Sequence, residues 1–425
     1  MILPKKKPPL AWSKNLTIYE VNLRQYSAGG TFREFADHLP RLAELGVGIL
    51  WFMPVQPIGI LNRKGSLGSY YSISDYMAVD QAYGTLEEFR KLVDQIHAMG
   101  MYVLLDWVAN HTSWDNVLTV SHPEFYRRNE AGEVFPPFNE WSDVIGLDYN
   151  KTELRNYMIS AMQFWLKETG IDGFRCDMAN LVPVDFWEQA RCELDKTKPV
   201  FMLAEAEQRE MLNEAFDAIY NWNFLHLMNG MAQNQRSVAD LDAILHFEIE
   251  EFPVGSYQLL FTSNHDENSW NGSEIERLSF GLEAFTVLYF TLTGIPLIYS
   301  GQEAGNYRRL NFFDKDEITW KQDKMFALFQ RLIYLKKTSA ALWSGPYGGD
   351  FTRLSSASTD VFAFNRSKEE NHVVVVINFS AESRHAELTG LPSGNFMDFF
   401  NGGSAALING ISLELQPWEY RLFRS

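Results

Sequence analysis

Four times along this chain a stretch with helical spacing runs into a glycine and then into a short apolar segment. That recurring unit constrains the fold more than any other feature. Phe32, Phe35, Leu39 and Leu42 precede Gly46, and residues 47–52 follow as a strand. Leu86, Phe89, Leu92, Val93 and Ile96 precede Gly100 and a strand over 101–106. Leu154, Met158, Met162 and Trp165 precede Gly170 and a strand around Phe174, and Phe285, Leu288 and Leu292 precede Gly294 and a strand over 296–299. Glycine just past a helix end takes the left-handed cap without steric cost. Thr31 with Glu34 and Thr85 with Glu88 have capping-box spacing, and Pro40 predicts a kink or break in the first helix.

Further strands near Ile18, Phe201, Ala218 and Leu260 complete eight strand–helix units between about residues 12 and 343. Such alternation implies a parallel sheet with right-handed crossovers, an α/β fold of the (β/α)8 or TIM-barrel type. An open doubly wound sheet competes, but no glycine-rich phosphate turn of the right form is present. Residues 111–150, rich in Pro, Asn, Trp and Glu, read as a short inserted subdomain after strand 3, since loops of this length tend to be functional. Beyond Gly345-Pro346, β-type runs at 361–364, 372–379 and 411–415 alternate with Gly, Ser and Asn turns, and 417–422 ends as a last strand. The reading is a barrel over 1–110 and 151–345, the insertion over 111–150, and a C-terminal antiparallel β-sandwich over 346–425.

Acidic residues close several of the apolar runs. Asp106 ends Val103-Leu104-Leu105-Asp106 and leads to Asn110-His111; Asp177 ends Gly173-Phe174-Arg175-Cys176-Asp177. Glu205 follows Met202-Leu203-Ala204, and Asp266 follows Asn264-His265. Singly, an Asp at a strand end is more often a turn or a helix cap. Four such motifs on successive strand ends, at the barrel face where catalytic groups gather, are another matter. Two facing carboxylates are the equipment for glycoside hydrolysis, one donating a proton to the leaving oxygen and one meeting the oxocarbenium-like centre. Arg175, two residues before Asp177, shares its strand face and is expected to keep Asp177 ionised, while Glu205 is expected to have a raised pKa suited to proton donation. Glu207 and Glu267 are near rivals of Glu205 and Asp266, less well placed relative to the apolar strand and the Asn-His pair.

A formal net charge of −17 argues against nucleic acid and anionic membrane as partners but costs nothing with a neutral polysaccharide. Phe, Trp and Tyr, 14% together, are mostly assigned to packing, with sugar stacking as the alternative for individual rings. Cys176 and Cys192 cannot form a disulfide framework, and Cys176 reads as a packed thiol. The opening residues 1–9 are basic but lack a signal-peptide apolar core, which favours a cytoplasmic location over export with the leader absent. No stretch reaches the apolar length that spans a bilayer.

With these motifs in view the chain resembles the α-amylase family, glycoside hydrolase family thirteen, over nearly its whole length. Asp106-x-x-x-Asn110-His111, Gly173-Phe174-Arg175-x-Asp177, Glu205 and Asn264-His265-Asp266 match the family's four regions in order. The resemblance implies a retaining hydrolase of α-1,4-glucosidic bonds in starch, glycogen or maltooligosaccharides. It implies Asp177 as nucleophile, Glu205 as acid/base and Asp266 as transition-state stabiliser. Tyr71, His111, Arg175 and His265 would bind the sugar at the cleaved position, and Asp106 would support Arg175. No cofactor is required for the chemistry. Asn110 matches a calcium ligand and Asp148 offers a second oxygen, but Asn180 and Leu181 stand where many family members carry Lys-His, so structural calcium stays open. Glucanotransferase, cyclodextrin hydrolase, neopullulanase or sugar isomerase action on the same scaffold is the alternative, and a non-catalytic binding relative is the remote one.

Overall fold

The computed structural model describes residues 9–252 and 256–425, so most of the basic opening lies outside the described residues. Eight parallel strands close into a barrel: β1 Ile18–Val21, β2 Ile49–Phe52, β3 Tyr102–Val108, β4 Gly173–Asp177, β5 Phe201–Ala204, β6 Ala218–Tyr220, β7 Tyr257–Leu260 and β8 Ile295–Tyr299. β1 pairs with both β2 and β8, which closes the ring. Nearly every strand residue is buried, as a sheet covered on both faces requires. Trp51, Trp107, Trp165 and Trp187 are among the largest fully buried side chains, so much of the aromatic content is core.

The local signals act largely as the sequence implies. The helix Leu86–Ala98 starts with a complete capping box, Thr85 with Glu88. At Thr31 only half of the box forms: its side chain accepts from the Glu34 N–H, while the Glu34 carboxylate turns to the Gly29 N–H at 2.7 Å. Pro40 breaks the first helix into Phe32–Ala36 and Leu39–Leu45 and sits in the opening turn of the second, where no intrahelical donor is lost. Gly46 and Gly170 cap their helices in the left-handed region, at φ 93° and 76°. Gly294 does not: its helix ends at Thr291, and the glycine is needed because a Cβ there would lie 2.7 Å from the Gln258 carbonyl oxygen of the adjacent strand.

Between β3 and its helix, His111–Ser113 pairs antiparallel with Val144–Gly146, folding the long connection back over the barrel rim. At the C-terminus eight antiparallel strands run from Asp350–Ser356 to Tyr420–Arg424. They are hydrogen-bonded into one continuous order, because Asp350–Ser356 pairs with Val361–Lys368 at one end and with Arg384–Thr389 at the other. The sheet curls over a single core to which Val361, Val374, Leu388 and Leu413 all contribute. No helix among the described residues is long and apolar enough to cross a membrane.

Candidate active site

Strand register decides which side chains meet. Asp106 lies opposite Arg175 and Val108 opposite Asp177 across β3 and β4. Cys176 lies opposite Ala204 across β4 and β5, so continuing one step brings Asp177 level with Glu205 on neighbouring strands, which run about 5 Å apart. Asp106 is inside β3, two residues before its end, and not at the strand terminus the sequence suggested.

The Arg175 guanidinium is fully buried and collects three carboxylates. Nη1 donates to Asp106 Oδ1 at 3.0 Å and to Asp177 Oδ1 at 3.2 Å, and Nη2 forms an ion pair with Glu205 Oε2 at 2.8 Å. Its Nε donates to the Tyr220 hydroxyl at 3.2 Å. Glu205 Oε2 also accepts from the Met178 N–H at 2.8 Å. Met178 achieves this at φ 39°, a left-handed conformation costly for a non-glycine residue and typical of functional sites. The second Asp177 oxygen, Oδ2, is buried and has no hydrogen-bond partner among the described residues.

A second chain of hydrogen bonds runs behind the first. His265 Nδ1 donates to Glu20 Oε1 at 2.5 Å, and Nε2 donates to the Tyr71 hydroxyl at 2.7 Å, which in turn donates to Asp106 Oδ2 at 3.2 Å. Trp51 Nε1 donates to the same Asp106 oxygen at 3.0 Å. Burial alone would depress the His265 pKa, but the Asp266 and Glu20 carboxylates outweigh it and raise it to about 9. That ring is therefore an imidazolium at neutral pH and donates from both nitrogens. His111 is the opposite case: burial pushes it down to about 4, against a hydrogen bond to the Tyr71 backbone, and it is neutral. Its Nδ1 accepts from Asn110 Nδ2 at 3.2 Å, leaving Nε2 to carry the ring proton. Asp266 is more open, with Oδ1 accepting from Trp270 Nε1 at 3.1 Å.

The sequence expectation for the two central carboxyls is reversed in one respect. Burial and the neighbouring charge of Glu205 push the Asp177 pKa well up, and Arg175 only partly opposes them. One guanidinium shared among three carboxylates does not hold Asp177 low. Asp177 is therefore harder to ionise here than an ordinary carboxyl. Replacing Glu205 by Gln removes the second-largest cause of the upshift, so the Asp177 pKa drops in the Glu205→Gln variant. Carbon-13 NMR titration of the Asp177 carboxyl checks this; an unchanged midpoint would mean the pair is not coupled.

Asp177, Glu205, Asp266, Tyr71 and His111 line one cleft of about 430 Å³, walled also by Trp141, Trp270 and Phe312. A depression of about 740 Å³ beside Arg41 and Trp320 holds none of these groups, so size alone does not locate the site. The rivals are engaged elsewhere. Glu207 accepts from the Asn223 N–H, and Glu267 accepts from Asn271 at 2.7 Å and faces Arg277. Glu20, Trp51, Tyr220, Met178 and Trp270 escaped the sequence reading. An acid inside a four-residue apolar strand was the available signal for Glu20.

Asn110 and Asp148, the residues read as possible calcium ligands, belong to adjoining segments, with the Leu147 N–H donating to the Asn110 carbonyl at 3.0 Å. Asn110 Oδ1 is buried without a hydrogen-bond partner, as a ligand oxygen would be, but Asp148 Oδ1 accepts from Asn150 at 2.8 Å. Arg127 Nε donates to the adjoining Leu147 carbonyl at 2.8 Å. Among the described residues no group of three His, Cys, Asp or Glu side chains is placed to hold a metal.

A closed parallel barrel whose Asp177 and Glu205, held by one arginine at the ends of β4 and β5, share a cleft with Asp266 from the loop after β7 defines a glycoside-hydrolase type of site. Residues 13–122 and 129–331 match the alpha-amylase catalytic domain, and residues 351–422 match the maltogenic amylase C-terminal domain. The chain belongs to the alpha-amylase family. It is 30% identical to a maltogenic alpha-amylase of Thermotoga neapolitana, whose crystal structure superposes with a TM-score of 0.89 over 97% of this chain and 99% of that one. An alpha-amylase of Lactobacillus plantarum is 29% identical, with a TM-score of 0.88 over 98% of this chain and 100% of the other. Neopullulanase 2 of Thermoactinomyces vulgaris is 26% identical over 92% of this chain and 70% of its own length.

Proposed function

We propose that the protein is a retaining hydrolase of α-1,4-glucosidic bonds in maltooligosaccharides and starch-type α-glucans. The observation that carries the reading is the attachment of Asp177 and Glu205 to one buried guanidinium at the wall of the cleft that Asp266 also lines. Asp177 attacks the anomeric carbon through its unpartnered oxygen as Glu205 passes a proton to the departing glycosidic oxygen. The glycosyl group is then ester-linked to Asp177. Glu205, now a carboxylate, takes a proton from water as the water oxygen attacks the same carbon and Asp177 leaves. Asp266 holds ring hydroxyls of the sugar being cleaved, Tyr71 offers a ring face with the His265 imidazolium bracing its hydroxyl from behind, and His111 lines the same cleft. Arg175 fixes both reacting carboxyls, and Asp106 fixes Arg175.

Cyclodextrins and pullulan are second substrates of the same site, a reading supported by the match to a maltogenic amylase C-terminal domain and by the likeness to a neopullulanase. A time course with maltoheptaose, starch, pullulan and cyclodextrin separates the two. Short linear products from all four fit the broader reading, and products longer than the starting maltoheptaose would mean that transfer dominates. The absence of any cleavage would contradict both. A cytoplasmic location belongs to the proposal, in keeping with two unpaired cysteines, and cell fractionation tests it.

A further inference from the structure

The loop after β2 is tied to two different parts of the barrel rim. Asp115, in the connection after β3, accepts through Oδ2 from the N–H groups of Ile60 and Leu61 at 2.7 and 3.1 Å. Asp314, in the chain after β8, accepts from the Ser66 N–H at 2.8 Å and its hydroxyl at 2.6 Å. The Leu67 N–H adds a bond to the Phe313 carbonyl at 3.0 Å. Gly65 turns the chain at φ 62°, and a Cβ there would lie 2.5 Å from Phe313 Cβ, so the loop is pressed onto that rim.

From this strap the Lys64 side chain spans to the β3 connection. Its Nζ pairs with Asp143 Oδ1 at 3.0 Å and donates to the Glu140 carbonyl at 2.5 Å, with the Phe313 ring 5.8 Å away. Asp143 is only 6% exposed at its side chain, and its carbonyl accepts from Ser72 Oγ at 3.0 Å, so Lys64 grips a fixed partner. Lys64, Glu140, Asp143 and Phe313 all belong to the wall of the cleft that contains Asp177 and Glu205.

Strand order tells which end of the cleft this is. The leaving oxygen takes its proton from Glu205, after β5, so the departing part of the substrate exits on the β5 side. β2 lies beside β1 and β3, across the ring from β5 and β6. The strap therefore crosses the end that holds the retained, non-reducing part of the chain.

We propose that Lys64 determines chain-length specificity by closing the non-reducing end of the cleft, so that the protein removes short saccharides from chain ends instead of cutting within the chain. The inference rests on the α-glucan hydrolase reading and adds a mode of attack to it.

The test compares two maltoheptaosides with a chromophore at the reducing end, one free and one capped at its non-reducing glucose by an ethylidene acetal, with products separated by chromatography. The wild-type enzyme is expected to cleave the free substrate at least about tenfold faster than the capped one, the scale on which a single pocket contact discriminates. Lys64→Ala and, independently, Asp143→Asn are expected to erase most of that ratio, and Lys64→Arg to keep it. Equal wild-type rates on the two substrates overturn the proposal, as does an unchanged ratio in folded Lys64→Ala and Asp143→Asn variants. Cleavage of neither substrate overturns the hydrolase reading and the clasp with it.

Discussion

Asp177→Asn is expected to lower kcat on maltooligosaccharides by about 10⁴-fold or more, the scale on which a covalent nucleophile is lost. The same change is expected to make the fold more resistant to unfolding at neutral pH, since a carboxyl whose pKa rises on folding is costly to ionise in the folded state. Burial and Glu205 raise the folded-state pKa of Asp177 above its unfolded value. Ionising it therefore costs the wild type stability as pH rises from the unfolded to the folded pKa, and the full cost stands above both. Asparagine carries no such cost, and Arg175 keeps Asp106 and Glu205 as partners. Denaturant melts of both proteins near neutrality and near pH ~4, where an unfolded Asp is about half protonated, check the sign: the advantage of the variant shrinks in acid. A variant less stable than wild type at neutral pH would mean that Arg175 outweighs burial and repulsion at this position.

Arg175→Met has the largest expected effect on stability, a loss of about 3–5 kcal/mol, because removing one member of a buried ionic cluster leaves the others uncompensated. Here three carboxylates lose their common cation, and Asp106 has 0% side-chain exposure and no access to water. Activity disappears as well, since the same guanidinium aims Asp177 and Glu205. Arg175→Lys does not restore it: a single ammonium nitrogen cannot reproduce the planar fork by which Nη1 reaches Asp106 and Asp177 while Nη2 reaches Glu205. The deficit is largest at neutral and alkaline pH and smaller in acid, where protonation discharges the cluster. Denaturation of the wild type and both variants across pH measures this, and a loss below about 1 kcal/mol for Arg175→Met would show the cluster to be structurally dispensable.

The barrel was readable because each repeat carries its own boundary marks. Gly46 and Gly170 terminate helices, Thr85 and Glu88 start one, and Pro40 splits one, all through local backbone chemistry. Gly294 shows the limit: glycine spacing alone cannot distinguish a helix cap from a place where two strands approach closely. Asp177 and Glu205 could be picked out because barrel register aligns consecutive strand ends, and Asp266 from its Asn-His neighbours. The Asp177 pKa could not, because it depends on how many acids share Arg175, and Asp106 becomes a sharer only through cross-strand pairing. Glu20 was hidden for a related reason: its partner His265 is 245 residues away in the chain, and only ring closure between β1 and β8 brings their ends of the barrel together. Lys64 is further from any motif, since its meaning depends on Asp115 and Asp314 fixing the loop from opposite sides.

The proposed chemistry turns on which oxygen receives the sugar. Incubation with an α-glucosyl fluoride carrying a second fluorine on the ring carbon slows breakdown of a glycosyl ester enough to trap it, and peptide mass spectrometry locates the adduct. The prediction is one glucosyl adduct on the peptide containing Asp177, absent from Asp177→Asn. An adduct on Glu205 or Asp266, or turnover of the fluoride with inversion at the anomeric carbon and no adduct, would contradict it.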